Sequence, residues 1–338
     1  MTALDLALVV GAFVAALVGT FAYGRLAVRF GIVAVPNERS LHKVPVPRGG
    51  GVAIAVPFLA AMLILYALGE LPLRWFLALF GGGAAIAVVG FIDDVIEVSA
   101  RVRFTLHVAL AALVLACLGG PPVVNLGFAV VDTGPLGIPL FALVVVWMIN
   151  LYNFVDGIDG LAASGSVFIC ASGAALLVAA RFEALGVPVA VLGAANLGFL
   201  VFNWPPARLF MGDTGSAFQG YLFSVFALIS MKTDVLSGFT WTILMAYFVG
   251  DTTTTMILRI ATVKRWWTTH RSHAYQNLAR VWNNHRRMTL LVLAIDLAWL
   301  LPLALASVLW PRHAVWPTLL ALLPPVFMAV RFGPLYDR

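Results

Sequence analysis

The chain alternates long apolar runs with short polar ones. Runs approaching the ~20 residues that cross a bilayer occupy 4–23, 50–69, 74–92, 104–119, 138–152, 161–180, 185–203, 214–231, 238–258, 289–309 and 313–331. The pattern predicts an all-α polytopic integral membrane protein with about 11 transmembrane helices. The fourth and fifth runs are short, which leaves the count open by one. An odd count puts the two termini on opposite sides. No internal repeat or low-complexity segment interrupts the pattern, so residues 1–338 are expected to form a single transmembrane domain.

Composition agrees. Of 338 residues, 62% are hydrophobic and only 11% are charged, against about 25% charged in a soluble domain. Cys117 and Cys170 both lie in apolar runs, so no disulfide framework is expected. The first run lacks the basic flank of a cleaved signal peptide and is expected to stay as a helix.

Charge changes the picture more. A sequence pI near 9.7 could suggest nucleic acid, but the placement of Lys and Arg argues for membrane topology. The loops 24–49, 93–103, 152–160, 204–213 and 259–288, with the C-terminus, hold 17 of the 21 Lys and Arg residues. The other side holds Arg74, Arg181, Lys232 and Arg312. The positive-inside rule then sets the N-terminus outside (periplasmic) and the C-terminus in the cytoplasm. No nucleic-acid partner is expected.

The polar chemistry collects on that same cytoplasmic side. Five clusters carry it: "PNERSLHKVPVPRGGG" (36–51), "FIDDVIEVSARVRF" (91–104), "NLYNFVDGIDGLA" (150–162), "FNWPPARLFMGDTGS" (202–216) and "HRSHAYQNL" (270–278). A carboxylate at the bilayer edge is costly unless it pairs, meets water or binds a cation. Asp93, Asp94, Asp156, Asp159 and Asp213 all fall there, among Asn and Gly. Carboxylates and amide oxygens without a thiolate cluster suit magnesium, with manganese as the alternative, shared with substrate phosphates. The glycines beside the acids read as room for a ligand. Backbone amides near Leu161 and Thr214 could meet an anion, and Pro205 and Pro206 set up the loop before Asp213.

On the basic side, His42, Lys43 and Arg48 adjoin a triple glycine. His270 and His273, with Arg271 between them, read as an anion or diphosphate clamp, while Arg259, Lys264, Arg265, Arg286 and Arg287 read as topology charges. His107 reads as a packed helix residue, and Trp266 and Trp267 as interfacial anchors. No P-loop and no GxSxG elbow occurs, which excludes those classes. A secondary transporter would place charges near the midplane and show repeats. The residues thus describe a membrane enzyme that handles phosphates with a divalent cation.

The five clusters, in this order, resemble the polyprenyl-phosphate N-acetylhexosamine-1-phosphate transferases, with the peptidoglycan phospho-MurNAc-pentapeptide translocase as a distant relative. The resemblance covers roughly residues 36–280. "HRSHAYQ" looks most like the O-antigen-initiating branch, because other branches carry a denser histidine group there. The resemblance implies transfer of a sugar-1-phosphate from a UDP-N-acetylaminosugar to undecaprenyl phosphate, with release of UMP, at the cytoplasmic face of the bacterial inner membrane. GlcNAc, FucNAc and QuiNAc are all open as the sugar.

It also implies roles. Asp213 and Asn153 would be magnesium ligands. Asp93 and Asp94 would hold the acceptor phosphate, one as a candidate base, and Asp156 and Asn203 would lie near the nucleotide. His270, Arg271, His273 and Arg103 would reach phosphate or sugar. His42, Arg48 and Asp159 complete the expected substrate set, and Asp159 has a second reading as a brace for its loop. The enzyme would work in membrane lipid, and a homodimer is compatible with the pattern.

Overall fold

The computed structural model describes residues 1–34, 45–96, 98–263 and 272–334. Each of the eleven apolar runs is helical. The helices are α1 (Ala3–Arg29), α2 (Val52–Ala67), α3 (Leu73–Ile96), α4 (Ala100–Cys117), α5 (Gly137–Val155), α6 (Leu161–Ala179) and α7 (Glu183–Asn203). They continue with α8 (Gly212–Lys232), α9 (Gly238–Leu244), α10 (Ala246–Thr262), α11 (Ala274–Trp282), α12 (His285–Leu309) and α13 (Val315–Phe332). Two small antiparallel hairpins pair Val33–Ala34 with Val46–Pro47 and Val124–Asn125 with Val130–Val131. Among the described residues, eight helices are long and apolar enough to span a bilayer by length and composition. The protein is therefore an all-α polytopic membrane protein.

The run 238–258 departs from a single helix. It breaks between Leu244 and Ala246, where Met245 leaves helical geometry at φ −101° and ψ 6°. The break falls inside one continuous run, so the length of the run does not mark it.

Burial sorts the helices. Along α8 nearly every residue from Thr214 to Ser230 is buried, Gln219, Ser216 and Ser224 included. A helix hidden on all sides can carry polar groups that lipid would not tolerate, provided they are paired. Gln219 meets Ser166, and Ser224 donates to the Tyr221 carbonyl at 2.6 Å. By contrast, α1 exposes Leu6, Val10, Val14 and Val18 at four-residue intervals, an apolar stripe suited to acyl chains.

Glycines let α8 sit this deep. A Cβ on Gly90 of α3 would lie 2.6 Å from the Asp213 carbonyl oxygen, and one on Gly220 would lie 2.3 Å from that of Met148 in α5. Close backbone approach through small residues is a common means of packing helices in membranes. The triple glycine also packs: a Cβ on Gly51 would fall 2.1 Å from the Gly215 nitrogen. Three backbone hydrogen bonds fix that segment beside the entry to α8. Phe210 N–H donates to Pro47 at 2.8 Å, Gly50 N–H to Phe210 at 2.9 Å and Gly51 N–H to Met211 at 2.8 Å.

Gly90→Ala should therefore separate α3 from α8 and cost about 1–3 kcal/mol, as overpacking does. A Cβ on Gly24 would meet nothing within 4 Å, so Gly24→Ala should be neutral or gain up to about 1 kcal/mol from helix propensity. Thermal unfolding in detergent checks both; equal melting temperatures for the two variants would contradict this packing.

Candidate active site

The α8 N-terminus is capped from another helix. The residue before it, Met211, offers no side-chain cap. Asp94, in the last turn of α3, supplies one instead. Its carboxylate accepts from the N–H of Asp213 at 3.0 Å, the N–H of Thr214 at 3.0 Å and the Thr214 hydroxyl at 2.6 Å. A buried anion on the first amides of a helix meets both their unpaired N–H groups and the positive end of the dipole. Gly212 makes the approach possible: its φ is +72°, and a Cβ there would lie 2.5 Å from the Asp94 carboxylate. The anion at the Thr214 amide is thus the protein's own, and Asp94 positions the head of α8.

That cap aims Asp213. Asn153, on the last turn of α5, donates through Nδ2 to Asp213 Oδ1, and to Ser216 Oγ at 3.2 Å. Arg103 on α4 places one nitrogen, Nη1, 2.6 Å from Asp93 Oδ2 and 3.3 Å from Asp213 Oδ2. The other oxygen of Asp93 accepts from the N–H of Val98. The structure therefore brings Asp93, Asp94, Arg103, Asn153 and Asp213 together, although they come from four helices. Asp156, half-buried just past α5, joins them. Desolvation, then the charges of Asp213 and Asp94, drive its carboxyl well above the ordinary carboxylate range, against the pull of the Gly212 N–H.

Two expected substrate residues are braces. Asn203 is buried, and both ends of its amide are used: Oδ1 accepts from the Gly160 N–H at 3.1 Å, and Nδ2 donates to the Leu209 carbonyl at 2.9 Å. Asp159 is 4% exposed. It accepts from the Ala207 N–H at 3.0 Å and faces His285 Nδ1 at 3.2 Å, while its carbonyl takes the Thr289 hydroxyl at 3.0 Å. These contacts tie the 156–160 turn to the 204–209 loop and to α12. The glycine reading changes likewise. A Cβ on Gly157 would meet Gln276 and Tyr275, so that space holds protein.

The basic side resolves in part. His42, His270 and Arg271 lie outside the described residues. Arg48 is half-buried, its carbonyl accepts the Tyr23 hydroxyl at 3.0 Å, and its charge acts on Asp94. His273 is 2% exposed. Its Nδ1 lies 2.9 Å from Asp251 Oδ2, and its ring packs against Phe154 and Tyr275. Asp251 Oδ1 also accepts the Ala274 N–H at 3.1 Å, at the start of α11. A ring held this way anchors its loop to α10. Tyr275 hydroxyl reaches the Phe154 carbonyl, which carries the anchor to the Asn153–Asp156 turn. As expected, His107 is buried, with Nδ1 3.4 Å from Asn150 Nδ2.

Sequence reasoning missed Asp251 and His285. The available signal was an acid inside an apolar run, "VGDTTTT", because such a residue needs a partner.

Residues 76–231 match the family model described as glycosyl transferase family 4. That span holds Asp93, Asp94, Arg103, Asn153, Asp156, Asp159, Asn203 and Asp213. The chain is 32% identical, over 82% of its length and 77% of the relative's, to a decaprenyl-phosphate N-acetylglucosaminephosphotransferase of Mycolicibacterium smegmatis. It is 29% identical, over 87% of its length and 82% of the relative's, to a probable undecaprenyl-phosphate N-acetylglucosaminyl 1-phosphate transferase of Bacillus subtilis. A phospho-N-acetylmuramoyl-pentapeptide-transferase of Heliobacterium modesticaldum is 33% identical over 66% of this chain and 71% of its own. Likeness over most of both chains, with the acidic clusters inside the matched span, makes this protein a member of glycosyl transferase family 4.

Proposed function

We propose that the protein transfers an N-acetylaminosugar-1-phosphate from a UDP-sugar to undecaprenyl phosphate at the cytoplasmic face of the bacterial inner membrane. The acceptor phosphate oxygen attacks the sugar-proximal phosphorus. The bond to the bridging oxygen breaks, UMP leaves, and undecaprenyl-diphospho-sugar remains to start an envelope glycan such as O-antigen. The observation that carries this reading is Asp213. It is held at the head of a buried helix by Asp94 and touches Asn153 and Arg103, in a family whose named relatives move N-acetylglucosamine phosphate onto polyprenyl phosphates. Those names favour N-acetylglucosamine as the first sugar to test, ahead of FucNAc and QuiNAc.

The donor chemistry fits magnesium. Asp213 Oδ1 and Ser216 Oγ lie side by side at the Asn153 amide, whose Nδ2 donates to both. Among the described residues, no three His, Cys, Asp or Glu side chains form a complete metal cage. Magnesium is typically held by one or two carboxylates and completes its shell with water and substrate phosphates. Asp213 and Asn153 would hold it, the amide presenting its oxygen, and it would neutralise charge on the diphosphate. Such transfer depends on alignment and charge more than on a reactive side chain. Asp93 keeps Arg103 in place, Asp156 stands beside Asp213 as a substrate contact, and Asn203 and Asp159 hold the turn that carries it. The polyprenyl tail lies in the bilayer beside the helices, with its phosphate at this site.

Asp213→Asn should lower kcat/KM by about a hundredfold or more, the scale of losing one preorganised charge contact, with its melting temperature unchanged or raised. Asp94→Ala should lose activity and also about 0.5–2 kcal/mol of stability, as for a deleted helix cap. Lipid-product formation and thermal unfolding of purified variants check the pair. Near wild-type transfer by Asp213→Asn would overturn the assignment, and an unaltered melting temperature in Asp94→Ala would overturn the cap.

A further inference from the structure

Resting on the cation assignment above, we infer that Arg103 is a stand-in cation. It neutralises Asp213 until a divalent ion arrives with the diphosphate, then yields the carboxylate and takes phosphate oxygens in exchange.

The contacts are unequal in a way that makes a hinge. Arg103 Nη1 is 2.6 Å from Asp93 and 3.3 Å from Asp213. The Asp93 side chain is 6% exposed and also receives the Val98 N–H, so that end is fixed. The Asp213 side chain is 32% exposed and that of Arg103 is 40% exposed, so this end opens to solvent. The short contact holds while the long one gives.

Charge then sets an order. The Asp213 Oδ2 that Arg103 neutralises is an oxygen that a divalent ion needs. An ion arriving alone must displace a cation that stays nearby, tethered to Asp93, and the two repel. An ion arriving with a diphosphate offers the displaced guanidinium a partner. Both carboxylate contacts use Nη1 alone among the described residues. The remaining N–H groups of the fork suit two phosphate oxygens at once, which an ammonium cannot match. Arg103 thereby couples ion binding to diphosphate binding, and such coupling is reciprocal.

The test is Mn²⁺ binding by purified full-length protein, read as free Mn²⁺ by electron paramagnetic resonance, with and without UDP. Wild type should bind Mn²⁺ about tenfold more tightly when UDP is present. Arg103→Met should bind Mn²⁺ alone about tenfold more tightly than wild type, with UDP then adding less than about twofold. Arg103→Lys keeps the charge but not the fork. It should bind Mn²⁺ alone as wild type does and lose most of the UDP effect, so the coupling stays measurable if the Met variant does not fold. Wild-type affinity and an intact UDP effect in these variants would overturn the handover. Asp213→Asn separates the two levels: undiminished Mn²⁺ binding there would overturn the cation assignment itself, whatever Arg103 does.

Discussion

One buried carboxylate organises this protein. Asp94 ends one helix and caps the start of another, accepting two backbone amides and a hydroxyl from Asp213 and Thr214. Both partners gain. The amides at the head of α8 would otherwise be unpaired inside the bundle, and the acid would otherwise be a buried charge without compensation. The direction in which Asp213 points follows from that cap. The glycines at 51, 90, 212 and 215 bring the backbones close enough for it.

Around this junction the acids divide by what satisfies them. Asp94, Asp159 and Asp251 each accept from backbone N–H groups of a different element. They are fastened to the scaffold and work by holding helices and turns in place. Asp213 accepts from side chains, Asn153 and Arg103, which can rotate away. An acid whose partners are mobile can exchange them for a ligand, whereas an acid bound to the backbone can do so only if the fold opens. The same logic separates Asn153, whose amide meets side chains, from Asn203, whose amide closes two backbone gaps. Rigid supports beneath adaptable contacts are what a site needs if chemistry depends on alignment.

Much of this was legible in the sequence, for physical reasons. The bilayer demands long apolar helices, so all eleven runs stood out. Acids and glycines at run ends drew attention to these segments, and in the fold Asn153, Asp213, Asp93 and Arg103 touch one another. What stayed hidden depends on partners distant in the chain. The anchoring of His273 needed Asp251, from a separate helix, and the brace reading of Asp159 lacked its partner, His285, 126 residues on. The glycines were noticed but misread, because a position without a side chain looks the same whether a ligand or another helix fills the space. The break at Met245 lies inside one run and was not read from it.

The claim that these carboxylates serve sugar-phosphate transfer turns on which bond breaks, and the released nucleotide reports it. Purified protein supplied with magnesium, undecaprenyl phosphate and a UDP-N-acetylaminosugar should release UMP in step with lipid-diphosphate product. Release of UDP would mean that the sugar alone had moved, and no nucleotide release with any UDP-sugar tested would remove the transferase reading. Either result would contradict the account.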